Sequence, residues 1–599
     1  MLGSIQQEHT EYKVVIAYDF GTTYSGAAYA FTHTSPEVFD IQNWPLKEGN
    51  YFPKVPTLSV YPRHNRPQPL YSLRRTALSE WGYGAKKTLL KPHADKQNIL
   101  LSQFKLQLDE SLQHPPLENG LAPVQVVADY LAALHRHTLK ELRYKFASNY
   151  HPDTFRYCLT VPALWSDKAK HMMRQAAIQA GIVSPSDPSD RLVLISEPEA
   201  AALYCEETMA DQVQLKDNDR FMVCDAGGGT VDIIVYQVNF TQRPRENRNC
   251  DSKNLMIWKK HRLKEVTKGI GESCGSVFLD ECYRELLQTK LGEQVIRKIY
   301  LREMHDMMDQ FIVNIKPEFN GKDAHYVRLP RSVDLNDLPA NLRDEDEDGN
   351  LDQGIVKFSA QELTEKVFDP VVNKILSLIV QQYRQIPDGR LNFLFLVGGF
   401  GSSKYLYERI RYIFQKANVQ VICPAERSAL AVVRGATYYG LNPRMVVSRV
   451  SRRTYGICVV MEYDEENDIP AKRKVDGDGS IMCRDRFSPF IKKNDILPVD
   501  CCIERKFHIS YGTQDSANLD LYAIDSDVIP RYYDAPGVYR VAKLTVPVPV
   551  VPGMGMYEHL HHDIRMYFGT TEIRMEADFG TGQAYNIYCD FDAVDNYDS

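Results

Sequence analysis

The sequence has no long hydrophobic run, no block of basic residues and no paired cysteine motif. No apolar stretch approaches the roughly 18 residues of a membrane span, and the net charge is -7 over 599 residues. We therefore expect neither a membrane span nor a nucleic-acid partner. Residues 1–13, MLGSIQQEHTEYK, contain no signal-peptide core. The 12 cysteines lack CxxC pairs and zinc-ligand spacing, so we expect reduced thiols in a cytoplasmic protein, with the nucleus also open.

The most informative stretch that is present is FMVCDAGGGTVDIIVYQV, residues 221–238. It predicts a strand ending at Asp225, a glycine turn and a second strand. The turn residues are Gly227, Gly228, Gly229 and Thr230. Three glycines weaken a strand, but amides without Cβ atoms beside them can surround an anion, and Asp225 can hold Mg2+ or its waters. Taken alone, an ordinary β-hairpin with a glycine bulge explains the motif equally well.

A second copy of this pattern occurs near the start of the chain. Residues 14–31 read VVIAYDFGTTYSGAAYAF, again with apolar runs on both sides of an aspartate and a turn. Aligning Asp19 with Asp225 superposes Gly21, Thr22 and Thr23 on the later glycine turn. Because an internal repeat of this kind is much rarer by chance than a single motif, two facing turns that clamp phosphates become the favoured interpretation.

A third glycine turn lies in LNFLFLVGGFGSSKYLYERIRYIF, residues 391–414. The pattern predicts a buried strand, a turn and a helix with Ser403 as its N-cap. Leu406, Ile410 and Ile413 share one predicted helical face. A helix N-terminus suits an anion, although a plain strand-to-helix turn also favours glycine.

The rest of the chain predicts helices first and strands later. Apolar spacing predicts one long helix over residues 121–147, a helix capped by Ser166, and helices near 275–289 and 293–319. The acidic stretch at 343–354 lacks calcium-loop spacing and is interpreted as a solvated loop. From about residue 441, short alternating runs separated by turn residues predict an all-β domain.

Five motifs in order carry a resemblance to a known family. VVIAYDFGTTYSGAAY, VPALW, SEPEAAAL, VCDAGGGTVDI and FLVGGFGSSKYL resemble the actin-like ATPases, and more narrowly the seventy-kilodalton heat-shock chaperones of the DnaK type. The overall pattern is most similar to the divergent branch without a helical lid. The resemblance covers residues 13 to about 440. It implies an α/β fold with a duplicated actin-like, ribonuclease H-like ATPase core of two lobes, followed by an all-β C-terminal domain.

The domain boundaries expected from this resemblance divide the chain into five parts. They are a disordered tail (1–12), ATPase lobe I (13–212), ATPase lobe II (213–440), a linker (441–453) and a β-rich substrate-binding-like domain without a helical lid (454–599). The linker is basic, whereas the family's is acidic and leucine-rich.

The resemblance implies a site for ATP or ADP with Mg2+. The residues expected at the chemistry are Asp19, Lys86, Glu197, Asp225 and Thr230, with Asp19 and Asp225 at the metal. The residues expected to contact the nucleotide are Gly21, Thr22, Thr23, Tyr24, Gly227, Gly228, Gly229, Ser276, Lys316, Asn320, Gly398, Gly399 and Phe400. On the base side Ser276, Val313 and Pro317 stand where the family has charged groups, so a weaker grip on adenine is expected.

The function implied by the resemblance is that of a Mg-dependent, chaperone-like ATPase. Nucleotide state would be coupled to binding of extended or unfolded polypeptide by the β-domain, with possible co-chaperones, in a monomer. Two alternatives stay open. One is a nucleotide-gated interaction scaffold that does not hydrolyse ATP. The other is a small-molecule kinase, which needs an aspartate base in a pocket between the lobes that no segment supplies.

Overall fold

The computed structural model describes most of the chain in several stretches. They are residues 12–33, 37–47, 53–63, 77–89, 91, 94–110, 112, 115–146, 151–213, 215–240, 261–340, 342, 354–424, 428–475, 479–499, 501–512, 515–543, 545–556, 558–569, 571–580 and 584–587. The expected tail before Tyr12, most of the acidic stretch and the end of the chain lie outside the described residues.

The chain forms two compact units. Unit 1 contains Met1–Leu164, Met172–His261 and Gly269–Met445, and unit 2 contains Trp165–His171, Arg262–Lys268 and Val446–Ser599. Unit 1 mixes helices with strands and unit 2 is built mostly of strands. The expected mixed α/β class with a β-rich C-terminal region is therefore confirmed.

Sixteen strands, β1 to β16, begin in or cross unit 1. They are β1 (Val14–Asp19), β2 (Tyr24–Phe31), β3 (Phe39–Asp40), β4 (Val55–Pro56), β5 (Leu58–Pro62), β6 (Glu80–Trp81), β7 (Asn98–Ser102), β8 (Phe155–Val161), β9 (Leu192–Ser196), β10 (Arg220–Ala226), β11 (Val231–Phe240), β12 (His261–Glu272), β13 (His325–Arg328), β14 (Ile355–Phe358), β15 (Phe393–Val397) and β16 (Gln420–Ile422).

The two main sheets of unit 1 repeat one pairing pattern. The first runs β3-β2-β1-β8-β9, with β4 also on β2, and the second, a seven-stranded sheet, begins with the order β16-β15-β10-β11-β12. Strand β1 pairs antiparallel with β2 and parallel with β8. In the same way, β10 pairs antiparallel with β11 and parallel with β15. The hairpins place Asp19 opposite Gly26 and Asp225 opposite Asp232. The predicted strand, turn and strand are thus confirmed in both copies of the repeat.

Burial explains the continuous apolar runs of the central strands. All six residues of β1 are buried, as are six of the seven in β10. A strand with a parallel neighbour and covered faces must be apolar on both sides, so it does not alternate. Asp19 and Asp225 end these strands and are carried into the interior with them.

The helices lie between the strands. They are α1 (Gly82–Leu89), α2 (Ala94–Gln97), α3 (Pro123–Lys145), α4 (Asp167–Gln179), α5 (Glu197–Val213), α6 (Val277–Leu291), α7 (Glu293–Lys298), α8 (Leu301–Gln310), α9 (Lys316–Glu318), α10 (Ala360–Leu363), α11 (Asp369–Arg384), α12 (Lys404–Phe414) and α13 (Ala431–Leu441).

Helix caps agree with the sequence predictions, and two helix details differ. The Ser166 hydroxyl accepts a hydrogen bond from the Ala169 N–H at 3.1 Å, and Ser403 caps α12. The predicted single helix at 293–319 is instead α7, α8, a π-helical turn at Phe311–Ile315 and α9. Helix α8 starts anew after Tyr300, whose backbone N–H donates to Glu303 Oε2 at 3.2 Å.

The buried face of α12 also differs from the prediction. Leu406 and Ile410 are buried as expected, but Ile413 is 36% exposed. The larger rings of Tyr405 and Phe414 are buried instead. Aromatic rings bury more area than aliphatic side chains. The buried face of α12 is therefore centred on Tyr405 and Phe414 as well as Leu406 and Ile410, and Ile413 lies at its edge.

Unit 2 contains thirteen strands of its own. They are β17 (Val446–Val450), β18 (Thr454–Glu462), β19 (Arg473–Val475), β20 (Ile481–Ile491), β21 (Ile496–Pro498), β22 (Cys502–Ser510), β23 (Ser516–Asn518), β24 (Leu521–Ile524), β25 (Val538–Ala542), β26 (Thr545–Pro547), β27 (His559–Tyr567), β28 (Arg574–Asp578) and β29 (Ala584–Ile587). The main sheets run β19-β20-β18-β24-β25 and β22-β27-β28-β29, and Ile457, Leu521 and Ile564 are among the buried residues of their shared core.

Two absences hold for the described part of the chain. None of its helices has both the length and the apolar character needed to cross a bilayer. Its ten cysteines form no disulfide with one another.

His135 is a buried histidine in the core of unit 1. Its Nδ1 lies 2.7 Å from the Tyr18 hydroxyl, and the Tyr157 ring stands edge-on to it. Burial lowers the pKa of His135 to about 4, and Arg191 adds to this effect. Because the ordinary pKa is about 6.5, the unfolded chain takes up the proton first. The contribution of neutral His135 to the free energy of unfolding is complete above pH 6.5 and is lost as the pH falls toward 4.

We predict that His135→Gln makes the chain less sensitive to acid. The wild type should lose roughly 2–3 kcal/mol from this histidine between pH 7 and 4.5, so the gap in melting temperature between wild type and variant should narrow on acidification. Thermal unfolding of the full chain at several pH values measures this. His151→Gln, at a position whose side chain is 74% exposed, is the control. A gap that stays constant with pH would contradict the assignment.

Candidate functional site

The two repeated glycine turns touch each other in unit 1. A Cβ atom on Gly228 would overlap the Thr23 hydroxyl, and one on Gly229 would overlap the Thr22 hydroxyl. Only glycine fits at these two positions, because the threonine hydroxyls of the first turn occupy the space. The sequence prediction that the turns face each other agrees with this geometry.

Backbone hydrogen bonds hold the second turn in place. The carbonyl oxygens of Gly227, Gly228 and Gly229 accept from the N–H groups of Ser276, Val277 and Gly275 at 3.1, 2.8 and 3.0 Å. The Thr230 carbonyl accepts from the Gly227 N–H at 3.0 Å. Among the described residues, no backbone carbonyl accepts from the N–H groups of Gly228 and Gly229. These amides therefore remain for water or an anion.

The segment around β4 holds the first turn. The Thr57 N–H donates to the Thr23 carbonyl and the Thr57 hydroxyl donates to the Gly21 carbonyl, both at 2.8 Å. The Ser25 and Thr57 hydroxyls are also 2.8 Å apart. The position of the turn is thus fixed by β4 and Thr57, and Tyr24 beside it is 44% exposed.

Four buried carboxyl groups surround the meeting point of the turns. Their relative exposures are 4% for Asp19, 7% for Glu197, 5% for Asp225 and 2% for Asp232. Asp232 accepts a hydrogen bond from the Ala163 N–H at 3.0 Å. Buried carboxylates are costly unless they are paired or hydrogen-bonded, so the partners of the other three decide what the site can do.

Two lysines compensate this negative charge. Lys54 Nζ lies 2.6 Å from Asp19 Oδ2, and the Thr160 hydroxyl lies 3.3 Å from Asp19 Oδ1. Lys105 forms a short ion pair with Glu197, and its side chain is only 2% exposed. Asp19 and Glu197 each have a cationic partner from the chain itself.

Asp225 is the carboxyl group with the least compensation. No hydrogen bond from a described residue reaches it. Burial raises the pKa of Asp225 well above its ordinary value, and Glu197, Asp232 and Asp19 raise it further, while Lys54 lowers it. Burial likewise raises the pKa of Glu197, against the lowering effect of Lys105. A cation near Asp225 would relieve this repulsion.

The predicted metal position fits Asp225 better than Asp19. In the described part of the chain no three His, Cys, Asp or Glu side chains converge on a metal position. Mg2+ commonly keeps several waters and needs only one or two carboxylates besides phosphate, so Asp225 is suitable. Asp19 already holds an ammonium group on one oxygen.

The third glycine turn lies against the same aspartate. Gly398 has φ +86°, and a Cβ atom there would overlap Asp225 Oδ1 and the Ala226 carbonyl. Gly399 has open space around it, whereas Phe400 is only 3% exposed. The backbone of Gly398 thus lies against Asp225, and the Phe400 ring is buried in the core.

Two of the side chains predicted on the base side, those of Lys316 and Asn320, already have partners within the chain. Lys316 Nζ donates to the Ser276 carbonyl at 3.1 Å and to Asp280 Oδ1 at 2.8 Å. Asn320 forms a local turn, with its side chain bonded to Lys322 and Asp323. Val313, where the family has a charged group, is 61% exposed. Ser276 is held next to the second glycine turn through its own backbone, as described above.

Lys86 makes its ion pair outside the four carboxyl groups of the acidic centre. Its ammonium pairs with Asp309 at 3.1 Å. The lysines beside the acidic centre are Lys54 and Lys105, which sequence reasoning missed. The sequence does contain a signal for Lys105, because this lysine stands between the apolar residues Phe104 and Leu106. A lysine buried between core residues almost always has a carboxylate partner.

Comparisons with known proteins extend over nearly the whole chain. A family model described as a domain of unknown function (DUF8340) matches residues 215–423. Heat shock 70 kDa protein 12A of Homo sapiens is 26% identical, with 98% of this chain and 92% of that protein covered. Heat shock 70 kDa protein 12B of Homo sapiens is 25% identical over the same shares. A chaperone protein HscA homolog of Acidovorax sp. (strain JS42) is 33% identical over 20% of this chain and 15% of that protein.

We predict strong coupling between Lys105 and Glu197 in a double-mutant cycle. Lys105→Met leaves a buried carboxylate without its partner and should cost about 3–5 kcal/mol of unfolding free energy. Lys105→Met combined with Glu197→Gln should recover much of that loss. Thermal or urea unfolding of the full chain gives the three differences. Additive effects, with a coupling energy near zero, would show that the two groups do not interact.

Proposed function

Because this chain resembles the divergent seventy-kilodalton heat-shock proteins over nearly its full length, we propose that it is an ATP-binding, chaperone-like protein. The observation that carries the proposal is the contact between the two glycine turns at Thr23 and Gly228, beside a buried acidic centre. Open backbone amides and the Lys54 ammonium group offer a phosphate chain both donors and positive charge.

In this proposal the phosphates of ATP or ADP lie between the turns. Gly21, Thr22 and Thr23 hold them from one side, and Gly227 to Thr230 hold them from the other. Asp225 holds Mg2+ through its carboxylate or through water. The metal supplies charge neutralisation of the phosphates, as is usual in phosphoryl transfer.

We propose further that the duplicated turns belong to two ATPase lobes, 13–212 and 213–440, joined through a linker at 441–453 to a β-domain at 454–599. The common pairing order of the two main sheets supports the duplication. An enzyme of this kind hydrolyses ATP slowly to ADP and phosphate. The lysine paired with Glu197 in its site is Lys105 rather than Lys86.

The base is held less firmly than the phosphates. Lys316 is engaged by Asp280, Asn320 by its own turn, and Phe400 is buried. Gly398 and Gly399 then offer backbone rather than charged side chains to the nucleoside. Discrimination among bases should therefore be weak, because the phosphates are the same in every nucleotide.

Calorimetric titration of the full chain tests the proposed function. Mg-ADP and Mg-GDP should both bind, with affinities within about tenfold, or 1.4 kcal/mol, of each other, and pyrophosphate should compete with both. Tight ADP binding that excludes GDP would contradict the weak base contacts. Absence of heat with all three ligands would overturn the nucleotide site itself.

We predict that Asp225→Asn stabilises the fold and abolishes Mg-dependent hydrolysis. The substitution keeps the side-chain shape and removes a buried negative charge from the neighbourhood of three others, so the melting temperature should rise. It also removes the carboxylate proposed to hold the metal. Phosphate release and thermal unfolding measure the two effects. Asp388→Asn, at an exposed ion pair with Arg220, is the control, and unchanged turnover in Asp225→Asn would contradict the assignment.

The proposed ligand of the β-domain is extended or unfolded polypeptide. A peptide can add to a sheet edge through main-chain hydrogen bonds, and β19 is a short strand at the edge of its sheet. We predict weak, fast-exchanging peptide binding by the full chain, measured by fluorescence anisotropy with a labelled apolar peptide. Dissociation that takes minutes, or no binding at any concentration, would contradict it.

A nucleotide-gated scaffold without hydrolysis is the second candidate. The ion pair between Lys105 and Glu197 favours it, because this carboxylate is already neutralised within the protein. Nucleotide-dependent changes in peptide affinity without release of phosphate would identify the scaffold. Phosphate release that requires a second small substrate would instead indicate a kinase.

A further inference from the structure

Lys54 occupies a cation position at the first aspartate of the site. Its ammonium lies 2.6 Å from Asp19 Oδ2, and the Lys54 side chain is 17% exposed while that of Asp19 is 5% exposed. Surface ion pairs contribute little, but a pair this close and this buried is a fixed part of the local charge distribution.

The backbone around Lys54 is built to hold it there. β4 begins at the next residue and pairs with β2, which is the partner of β1 in the hairpin that carries Asp19. Gly26 lies opposite Asp19, and a Cβ atom on Gly26 would lie 3.4 Å from Lys54 Cγ. The lysine stem thus passes over the strand at the position of Gly26. The Lys54 carbonyl also accepts from the Tyr83 hydroxyl at 3.2 Å.

Beyond its pair with Asp19, Lys54 also acts on two other carboxyl groups of the acidic centre. It lowers the pKa of Asp225 and that of Glu197, against the effect of burial on both. No three acidic, histidine or cysteine side chains in the described part of the chain converge on a metal. Lys54 therefore supplies positive charge at Asp19 from within the chain itself.

We propose that Lys54 takes the place of a metal ion at Asp19, so that nucleotide phosphates bind with little need for a divalent cation. The inference rests on the proposed function, since it concerns the same site. The ammonium neutralises Asp19 and presents its remaining donors to the phosphates, while Mg2+ at Asp225 adds to binding without being essential to it. Lys54 is thus a binding residue that sequence comparison by motif does not identify.

The decisive variant is Lys54→Met, which keeps the stem over Gly26 and removes the charge. Calorimetric titration with ADP, in MgCl2 and in EDTA, gives the Mg2+ dependence of ADP affinity for each protein. The wild type should lose no more than about tenfold in affinity on chelation, and Lys54→Met should lose roughly a further 10- to 100-fold. Lys54→Arg should resemble the wild type, because it keeps the charge. Lys298→Met, at an exposed pair with Asp337, controls for net charge.

A second measurement needs no nucleotide. With Lys54 removed, Asp19 is free to attract Mg2+, so MgCl2 should raise the melting temperature of Lys54→Met clearly more than that of the wild type. Equal shifts in the two proteins, or loss of all ADP binding by the wild type in EDTA, would overturn the inference. If no nucleotide binds to either protein with Mg2+ present, the proposed function fails, and the Mg2+ shift still decides whether Lys54 occupies a cation position.

Discussion

The burial of four carboxyl groups with two lysines is the constraint on which the centre of unit 1 depends. Each carboxyl group is carried inward by a buried strand or by the start of a helix, and charged groups in such a place require partners. Lys54 compensates Asp19, Lys105 compensates Glu197, and Asp232 accepts a backbone N–H. No hydrogen bond from a described residue reaches the remaining group, Asp225, so the centre carries more negative than positive charge. This excess suits a cation that binds together with a polyanionic ligand.

Steric contact between the turns is the second constraint. Gly228 and Gly229 lie against the hydroxyls of Thr23 and Thr22, so a side chain at either glycine would push the two hairpins apart. Because each turn is also fixed by hydrogen bonds to a neighbouring segment, the amides that face the site are held in place before any ligand arrives. Preorganised donors of this kind favour binding of phosphate without a cost in ordering the loop.

The two sides of the site have diverged in different ways. The aspartates of the repeat end buried strands, and its glycines and threonines lie in the two turns that touch each other. On the base side, Lys316 and Asp280 satisfy each other and the Phe400 ring lies in the core.

The sequence by itself determined the local elements: two hairpins that end in aspartates, a third glycine turn, the long helix α3 and the β-rich end. These follow from apolar periodicity and from glycine, which act over a few residues. It did not determine which lysine meets which carboxylate, because Lys54 and Asp19 are 35 positions apart and Lys105 and Glu197 are 92 apart. Only the tertiary structure decided these pairs and the inward turn of Phe400, since the electrostatic cost of burial depends on where the folded chain brings distant groups together.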